Sequence, residues 1–227
     1  MKKYIHRVIS VMMVCIMVLA LAGCGEVNKE IAFNPKTSSV YVCDDGTFLC
    51  ATVEDFSESY YNVKELKNFV EEKVIDYNEV KAGVPSAYNV EESEASTEAE
   101  KLPIAIKDCY VSDKDVVLIL ACQDYSDFYK INSLDEYKDV ITSLKKTTIA
   151  EMKQNGQTFL KDLMGRNGSS VSVSKIMKKK KYHVVTGSGS GTIYVQGIIQ
   201  YASSGIIVND EGTAATVTGE DFVIVYK

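Results

Sequence analysis

The stretch SVYVCDDGTFLCATVE, residues 39–54, decides the fold of this chain. Its two arms, residues 39–43 and 47–54, are rich in β-branched and aromatic side chains, which favour strands. Asp44-Asp45-Gly46 lies between the arms, and an Asp-Gly pair flanked by apolar residues is a strong hairpin signal. The sequence therefore predicts an antiparallel hairpin at the start of the folded region.

A second hairpin is predicted from residues 104–111 and 115–122, which flank Ser112-Asp113-Lys114. Residues 116–121 are apolar at every position, so we expect this strand to be covered on both faces. Short apolar runs separated by turn residues predict a β-rich C-terminal half. Its strands are expected at residues 171–174, 182–185, 193–201, 205–208, 214–218 and 222–226. Gly197 suggests a bulge, and the glycine-rich run 186–192 is expected to be a flexible connection.

Two long amphipathic helices are predicted from apolar residues at helical spacing. The first begins at Asn62, where Glu65 completes a capping-box-like pair, and ends at Gly83. The second begins at Ser133 and ends at Asn155-Gly156. Their expected buried stripes are Val63, Leu66, Phe69, Val70, Val74, Tyr77 and Val80, and Leu134, Tyr137, Val140, Ile141, Leu144 and Met152. These elements predict an α+β fold, with antiparallel sheets packed against two helices.

Residues 83–103 differ in composition from the rest of the chain. The run 91–100 is acidic, rich in small residues and free of large apolar side chains. Such a segment cannot offset its ordering entropy by burial, so we predict a mobile surface loop.

Four cysteines remain once Cys15 and Cys24 are set aside: Cys43, Cys50, Cys109 and Cys122. An even number in an exported protein is compatible with a disulfide framework. Hairpin geometry opposes a bridge within either hairpin, because a three-residue turn puts Cys43 and Cys50 on opposite faces and a two-residue turn leaves them diagonal. A bridge would have to join the two hairpins, and we favour four buried thiols instead. A zinc site is not predicted, since Cys-x-x-Cys spacing is absent.

The N-terminal sequence predicts an export signal. Lys2, Lys3 and Arg7 accompany an apolar stretch over residues 8–22, and Leu21-Ala22-Gly23-Cys24 follows at its end. This stretch is shorter than the roughly 20 residues that span a bilayer, and it fits the apolar core of a signal peptide. Residues 21–24 resemble the lipobox of bacterial lipoproteins.

That resemblance implies cleavage before Cys24 and attachment of lipid to its thiol. Two acyl chains hold a protein stably on a membrane, where one is marginal. We therefore expect the chain on the outer face of the cytoplasmic membrane, with the covalent lipid on Cys24 and no other cofactor. The predicted organisation is a signal peptide at 1–23, a tether at 24–38 and an α+β domain at 39–227. An alternative divides that domain into subdomains 39–155 and 156–227.

The charge balance limits the class of partner. The chain has 25 basic and 31 acidic residues, and the signal peptide removes three basic residues and no acidic one. The mature chain therefore carries 22 basic and 31 acidic residues, a net charge of −9. Such a surface argues against nucleic acid, which requires a basic footprint.

One basic cluster stands out in this acidic chain: Lys178, Lys179, Lys180 and Lys181, with Lys175 nearby. It is a candidate contact for an anionic envelope polymer, lipid headgroups or an acidic protein. The alternative is a solvated turn whose lysines protect a strand edge from aggregation.

The pattern predicts no catalytic constellation. His183 is the only histidine after the signal peptide, and neither a nucleophile nor an orienting partner for it is indicated by spacing. We therefore predict that the protein is not an enzyme and has no metal site.

The segments VYVCDDGT at 40–47 and VEDFSESYYNVKEL at 53–66 are similar to the start of lipoproteins from gut Gram-positive anaerobes. GIIVND at 205–210 and VIVYK at 223–227 fit that group too. The group has no assigned activity, so the resemblance implies a location and no functional residue. The leading hypothesis is a surface module that binds a protein or an envelope glycan. The alternatives are a solute-binding lipoprotein of a transporter, disfavoured because repeating βαβ units are lacking, and a surface hydrolase.

Overall fold

The structure, a computed structural model, describes residues 33–89, 101–132, 140–219 and 221–227. The predicted signal peptide, Cys24 and the acidic run 91–100 lie outside these ranges. Among the helices of these residues, none combines the length and the hydropathy that a membrane span requires. Residues Pro35–Lys227 form one compact unit.

Strands dominate the described part of the chain. In chain order its elements are β1 (Ser39–Val42), β2 (Phe48–Asp55), α1 (Val63–Ala82), β3 (Ile104–Ser112), β4 (Asp115–Cys122), α2 (Tyr125–Ile131), β5 (Ile141–Thr148), α3 (Ile149–Gln154), β6 (Leu163–Gly165), β7 (Ser170–Val171), α4 (Val173–Ile176), β8 (His183–Gly189), β9 (Gly191–Val195), β10 (Ile199–Ala202), β11 (Ile207–Val208), β12 (Ala214–Val217) and β13 (Phe222–Tyr226). The predicted α+β class is confirmed in this broad sense.

Two sheets form the frame. Sheet A has the strand order β11-β12-β9-β1-β2-β4-β3, and sheet B has the order β5-β8-β13-β10-β6-β7. β1 runs parallel to β9, with Ser39 opposite Thr192 and Val42 opposite Val195. This pairing joins the first hairpin to the C-terminal strands. Each sheet contains strands from both sides of residue 155.

The main core lies where the two sheets face each other. Cys50 and Ile193 of sheet A are fully buried in one apolar cluster with Val185 and Ile224 of sheet B. Val74 of α1 belongs to the same cluster. A smaller cluster covers the other side of sheet B and contains Ile149, Met152, Phe159, Leu163, Ile176, Val184 and Val225.

Both predicted hairpins are confirmed. Val42 lies opposite Phe48, so Asp44-Asp45-Gly46 is a three-residue turn. Ser112 lies opposite Asp115, so the second turn holds only two residues. β4 is flanked by β2 and β3, and most of its residues are buried, as predicted.

The four cysteines are buried free thiols, as favoured from the sequence. Cys50 and Cys122 lie on neighbouring strands of different hairpins, with their Sγ atoms 3.6 Å apart. Burial raises the pKa of the Cys50 thiol, and the neighbouring Cys122 thiol adds to the effect. A protonated, enclosed thiol is a poor nucleophile, so these residues act as apolar core side chains.

The first predicted helix is confirmed at both ends. The Asn62 side chain accepts from the backbone N–H of Lys64, and Gly83 ends α1 in the left-handed conformation with φ 70°. The expected buried stripe is only partly right, because Phe69 is 58 % exposed and Val80 is 90 % exposed. α1 packs along the edge strand β3, so only a narrow strip of the helix is enclosed.

The predicted second helix over residues 133–155 is wrong at Ile141–Thr148 and right only at its end, and its predicted start at Ser133 lies outside the described residues. Ile141–Thr148 is the strand β5, and the helix α3 begins only at Ile149. Thr148 and Glu151 form a reciprocal capping box at that point, which marks a true helix start.

The misleading signal was the spacing of Ile141 and Leu144, three residues apart as on a helix. In β5 the register shifts between Ile141 and Ser143. One extra residue in a strand restores the same face, so Ile141 and Leu144 both enter the core.

The expected single strand over 193–201 is also wrong. The chain leaves sheet A after β9 and enters sheet B at β10. Gly197 lies at the crossing with φ 155°, and a Cβ there would lie 2.6 Å from the Lys227 carbonyl oxygen. Glycine therefore permits the change of sheet.

Two further expectations fail in the C-terminal half. Residues 186–192 are not a flexible connection but belong mostly to β8 and β9. A Cβ on Gly189 would collide with the Val140 carbonyl oxygen, so glycine allows the close approach of the neighbouring chain. The strand expected at 171–174 is instead the end of β7 and the start of α4.

The ends of the predicted loop 83–103 pack against β3. The Ile106 N–H donates to the Ala87 carbonyl oxygen, and the Leu102 N–H donates to the Asn89 side chain. Ala87 and Leu102 are buried. The described ends of this segment are therefore fixed by β3 and by each other.

Asn78 of α1 is fully buried beside the edge strand β3. Its side chain makes the hydrogen bonds that a neighbouring strand would make with β3. Its Nδ2 donates to the Ile104 carbonyl oxygen at 2.7 Å, and its Oδ1 accepts from the Ile104 N–H at 3.2 Å. Nδ2 also donates to the Ser86 carbonyl oxygen at 2.7 Å. An edge strand exposes unpaired backbone groups, and this amide satisfies both groups of Ile104.

We predict that Asn78→Ala lowers the free energy of unfolding by about 2–4 kcal/mol, because it leaves buried backbone groups without hydrogen-bond partners. Urea unfolding followed by circular dichroism measures the change. Asn68→Ala is the control, since Asn68 is exposed on the same helix and its loss should cost less than about 0.5 kcal/mol. Equal effects of the two substitutions would contradict the role of Asn78.

Candidate functional site

A polar cleft of about 570 Å³ lies between the first hairpin turn and the edge strand β5. One side is formed by Asp44–Gly46 together with Asp124 at the start of α2. The other side is formed by five consecutive residues of β5, Leu144–Thr148, with Glu151 and His183 beyond them. The cleft therefore collects carboxylates, lysines and the one described histidine.

Three of the carboxylates in the cleft accept hydrogen bonds from nearby groups of the fold. Burial alone would raise the pKa of Asp45, but hydrogen bonds from Lys101 and Thr47 hold it below its usual value. Asp124 accepts from the Ser126 N–H as the cap of α2, and this bond lowers its pKa. Glu151 accepts hydrogen bonds from the Thr147 hydroxyl and the Thr148 N–H at the start of α3. These groups remain ionised and stabilise turns and helix starts.

Lys146 ties the edge of sheet B to the turn of sheet A. Its Nζ donates to the Cys43 carbonyl oxygen at 2.9 Å and to the Asp44 carbonyl oxygen. Burial lowers the pKa of Lys146, and the nearby Asp44 carboxylate opposes that shift. Two of its three donors are thus used within the fold.

His183 lines the cleft beside a fully buried tyrosine. Its ring stacks on Tyr226, with the centroids 5.1 Å apart. Burial and the positive charge of Lys146 lower the pKa of His183, so the ring is neutral near neutral pH. His183 Nδ1 and the Tyr226 hydroxyl find no hydrogen-bond partner among the described residues. Buried polar atoms in this condition cost stability.

The cluster Lys178–Lys181, here called the lysine loop, lies next to this cleft. The Lys180 carbonyl oxygen accepts from the Ala150 N–H at 3.2 Å, and the Tyr182 N–H donates to the Lys179 carbonyl oxygen at 2.9 Å. The backbone is therefore anchored to the start of α3, while all four lysine side chains are exposed. The strand that follows, β8, is interior to sheet B. The loop therefore leads into an interior strand and not into an edge strand.

Positive charge is concentrated around the lysine loop. Residues 141–185 contain ten basic and two acidic residues, although the whole chain is acidic. The ion pairs between described residues are Lys81–Asp127 and Lys101–Asp45, and neither involves this segment. The lysine loop therefore presents charge that the described part of the fold does not neutralise.

The structure describes some of the predicted site residues and not others. Lys178–Lys181 and His183 lie close together in sequence and space, whereas Cys24 lies outside the described residues. Lys145 and Lys146 were not among the predicted site residues, because their segment was predicted to be a helix and is the strand β5. Compared with known proteins, the chain matches no family model, no curated protein sequence and no solved structure.

We predict that Tyr226→Phe raises the free energy of unfolding by about 1 kcal/mol, because it removes a buried hydroxyl without a partner and keeps the ring. Tyr77→Phe is the matched comparison, since the Tyr77 hydroxyl donates to Asp127 at 2.8 Å. Its loss should lower the free energy of unfolding by about 1 kcal/mol or more. Urea unfolding of both variants measures the difference, and destabilisation by Tyr226→Phe would show that its hydroxyl is hydrogen-bonded.

Proposed function

We propose that the protein is a non-enzymatic binding module, anchored outside the cytoplasmic membrane by lipid on Cys24, whose lysine loop binds an anionic polymer of the cell envelope. The observation that supports the polymer site is the set of four exposed lysines on an anchored backbone. The lipobox resemblance supports the anchor. Envelope polymers are within reach of a domain held at the membrane surface.

The arrangement suits a repeating anionic chain. Adjacent lysines on two consecutive turns present ammonium groups in several directions, and each can meet a phosphate or carboxylate. Because the loop backbone is already fixed, binding costs mainly side-chain entropy. Each exposed contact contributes only about 0.5–1 kcal/mol, so affinity depends on several acting together.

Replacing Lys178, Lys179, Lys180 and Lys181 by Gln should weaken binding to poly(glycerol phosphate), a defined anionic polymer, by about thirtyfold or more. That factor corresponds to the loss of about 2–4 kcal/mol over four contacts. Isothermal titration calorimetry at two salt concentrations measures the effect, and added salt should weaken the unmodified protein most.

The matched control replaces four exposed lysines elsewhere, Lys64, Lys67, Lys107 and Lys114, by Gln. It makes the same change in net charge and should leave polymer binding within about twofold. Equal losses in both variants would mean that only net charge matters. Tighter binding to anionic lipid vesicles than to the polymer would assign the loop to the membrane instead.

Cys24→Ala should abolish incorporation of labelled fatty acid, because the thiol that accepts the lipid is gone. The protein should then be found in the medium or remain unprocessed. Cys15→Ala is the control, since it leaves the lipobox intact. Labelling that persists in the Cys24 variant would contradict the anchor.

A further inference from the structure

A second surface, at the other end of β2 from the cleft, is built from clustered aromatic rings. We call Phe56, Tyr60 and Tyr61 the aromatic tip. Phe56 stacks on Tyr61 with the ring centroids 4.9 Å apart, and Tyr60 meets Tyr61 edge-on at 4.8 Å. Tyr60 is 74 % exposed and Tyr61 is 44 % exposed. Rings that pack on one another in solvent instead of entering the core indicate a contact surface.

The segment that carries the aromatic tip is fixed to sheet A. The Phe56 N–H donates to the Lys114 carbonyl oxygen at 2.6 Å, and the Tyr61 N–H donates to the Glu58 carbonyl oxygen at 3.1 Å. The rings are thus presented by an ordered turn. A site held in this way loses little entropy when it binds.

The surroundings of the aromatic tip are strongly negative. Residues 54–61 and 112–116 meet at this end of sheet A, since Asp55 lies opposite Asp115. These two segments carry five acidic residues and one basic residue. None of the five takes part in the ion pairs between described residues. Their charge is therefore available to a ligand.

Two of these acidic residues, Asp55 and Glu58, belong to the same short segment as the rings. The pKa of Tyr61 is raised first by the neighbouring Tyr60 side chain and last by the charges of Glu58 and Asp55. The Tyr61 N–H donates to the Glu58 carbonyl oxygen and Asp55 directly precedes Phe56, so both acidic residues lie on the segment that carries the rings. An aromatic face carries negative potential of its own, so the two effects reinforce each other.

We propose that the aromatic tip binds an organic cation of the quaternary ammonium class. Such a cation is weakly hydrated, so it can rest on ring faces while the carboxylates attract its charge. A neutral group of the same shape would contact the rings and gain nothing from the charge. The same attraction occurs within the chain, where the Lys73 ammonium lies 5.6 Å from the centroid of the Phe69 ring.

The test uses choline as the probe and its neutral isostere 3,3-dimethylbutan-1-ol as the comparison, with amide NMR spectra of the purified full-length protein. Choline should shift the signals of residues 55–61 in a saturable way, and the neutral isostere should bind at least fivefold more weakly. Tyr60→Ala should weaken choline binding by about two- to fivefold, the value of one exposed ring, whereas Tyr60→Phe should retain it. Glu58→Gln should weaken choline binding and leave binding of the isostere unchanged.

Tyr88→Ala is the control, because Tyr88 is a 49 % exposed tyrosine outside the aromatic tip. The variant with Gln at the lysine loop should bind choline normally, which separates this proposal from polymer binding. Equal binding of choline and the isostere would overturn the proposal in favour of a merely apolar patch. Tighter binding of methyl glucoside would reassign the rings to a sugar, and shifts that depend on protein concentration alone would reassign them to a second copy. Absence of choline shifts up to about 0.1 M would also overturn it.

Discussion

The parallel pairing of β1 with β9 holds the two halves of the molecule in one sheet. β1 has four residues, yet it lies in the middle of sheet A with β2 on one side and β9 on the other. Without this pairing, sheet A would separate into β11-β12-β9 and β1-β2-β4-β3, and each part would expose a new edge. The pairing also places the first hairpin turn opposite β5, which creates the polar cleft. Loop-closure entropy grows slowly with length, so the long connection between these strands is tolerated.

The features that could be predicted from the sequence are those that depend on neighbouring residues. The Asp45-Gly46 turn, the Asn62 cap and the Gly83 stop each use local backbone chemistry, and each was predicted at its position. β5 could not be predicted in this way, because its register shift gives Ile141 and Leu144 the spacing of a helix. The separation of β9 from β10 depends on which sheet each strand joins, and local alternation carries no such information.

The candidate surfaces also differ in how much of each could be predicted from neighbouring residues. The lysine loop was evident as a run of charge, but its anchoring by Ala150 follows from tertiary structure. The aromatic tip was not predicted, because tyrosine is common in strands. A high tyrosine content is therefore normal in a β-rich protein and does not indicate a surface site. Asn78 was missed for a related reason, since a polar residue within an apolar stripe looks exposed until the edge strand beside it is known. The two surfaces have opposite charge and share no residue, so they can engage different groups.

β13 occupies an interior position of sheet B, between β8 and β10. Tyr226 at its end is fully buried, and Lys227 exchanges two backbone hydrogen bonds with Ile198. Sheet B therefore lacks its centre until residues 222–226 have been synthesised. For a chain proposed to cross the membrane through an export channel, this order of events is favourable, because the domain cannot close before β13 is available. Loss of these few residues would likewise remove the strand that joins β8 to β10 and divide sheet B.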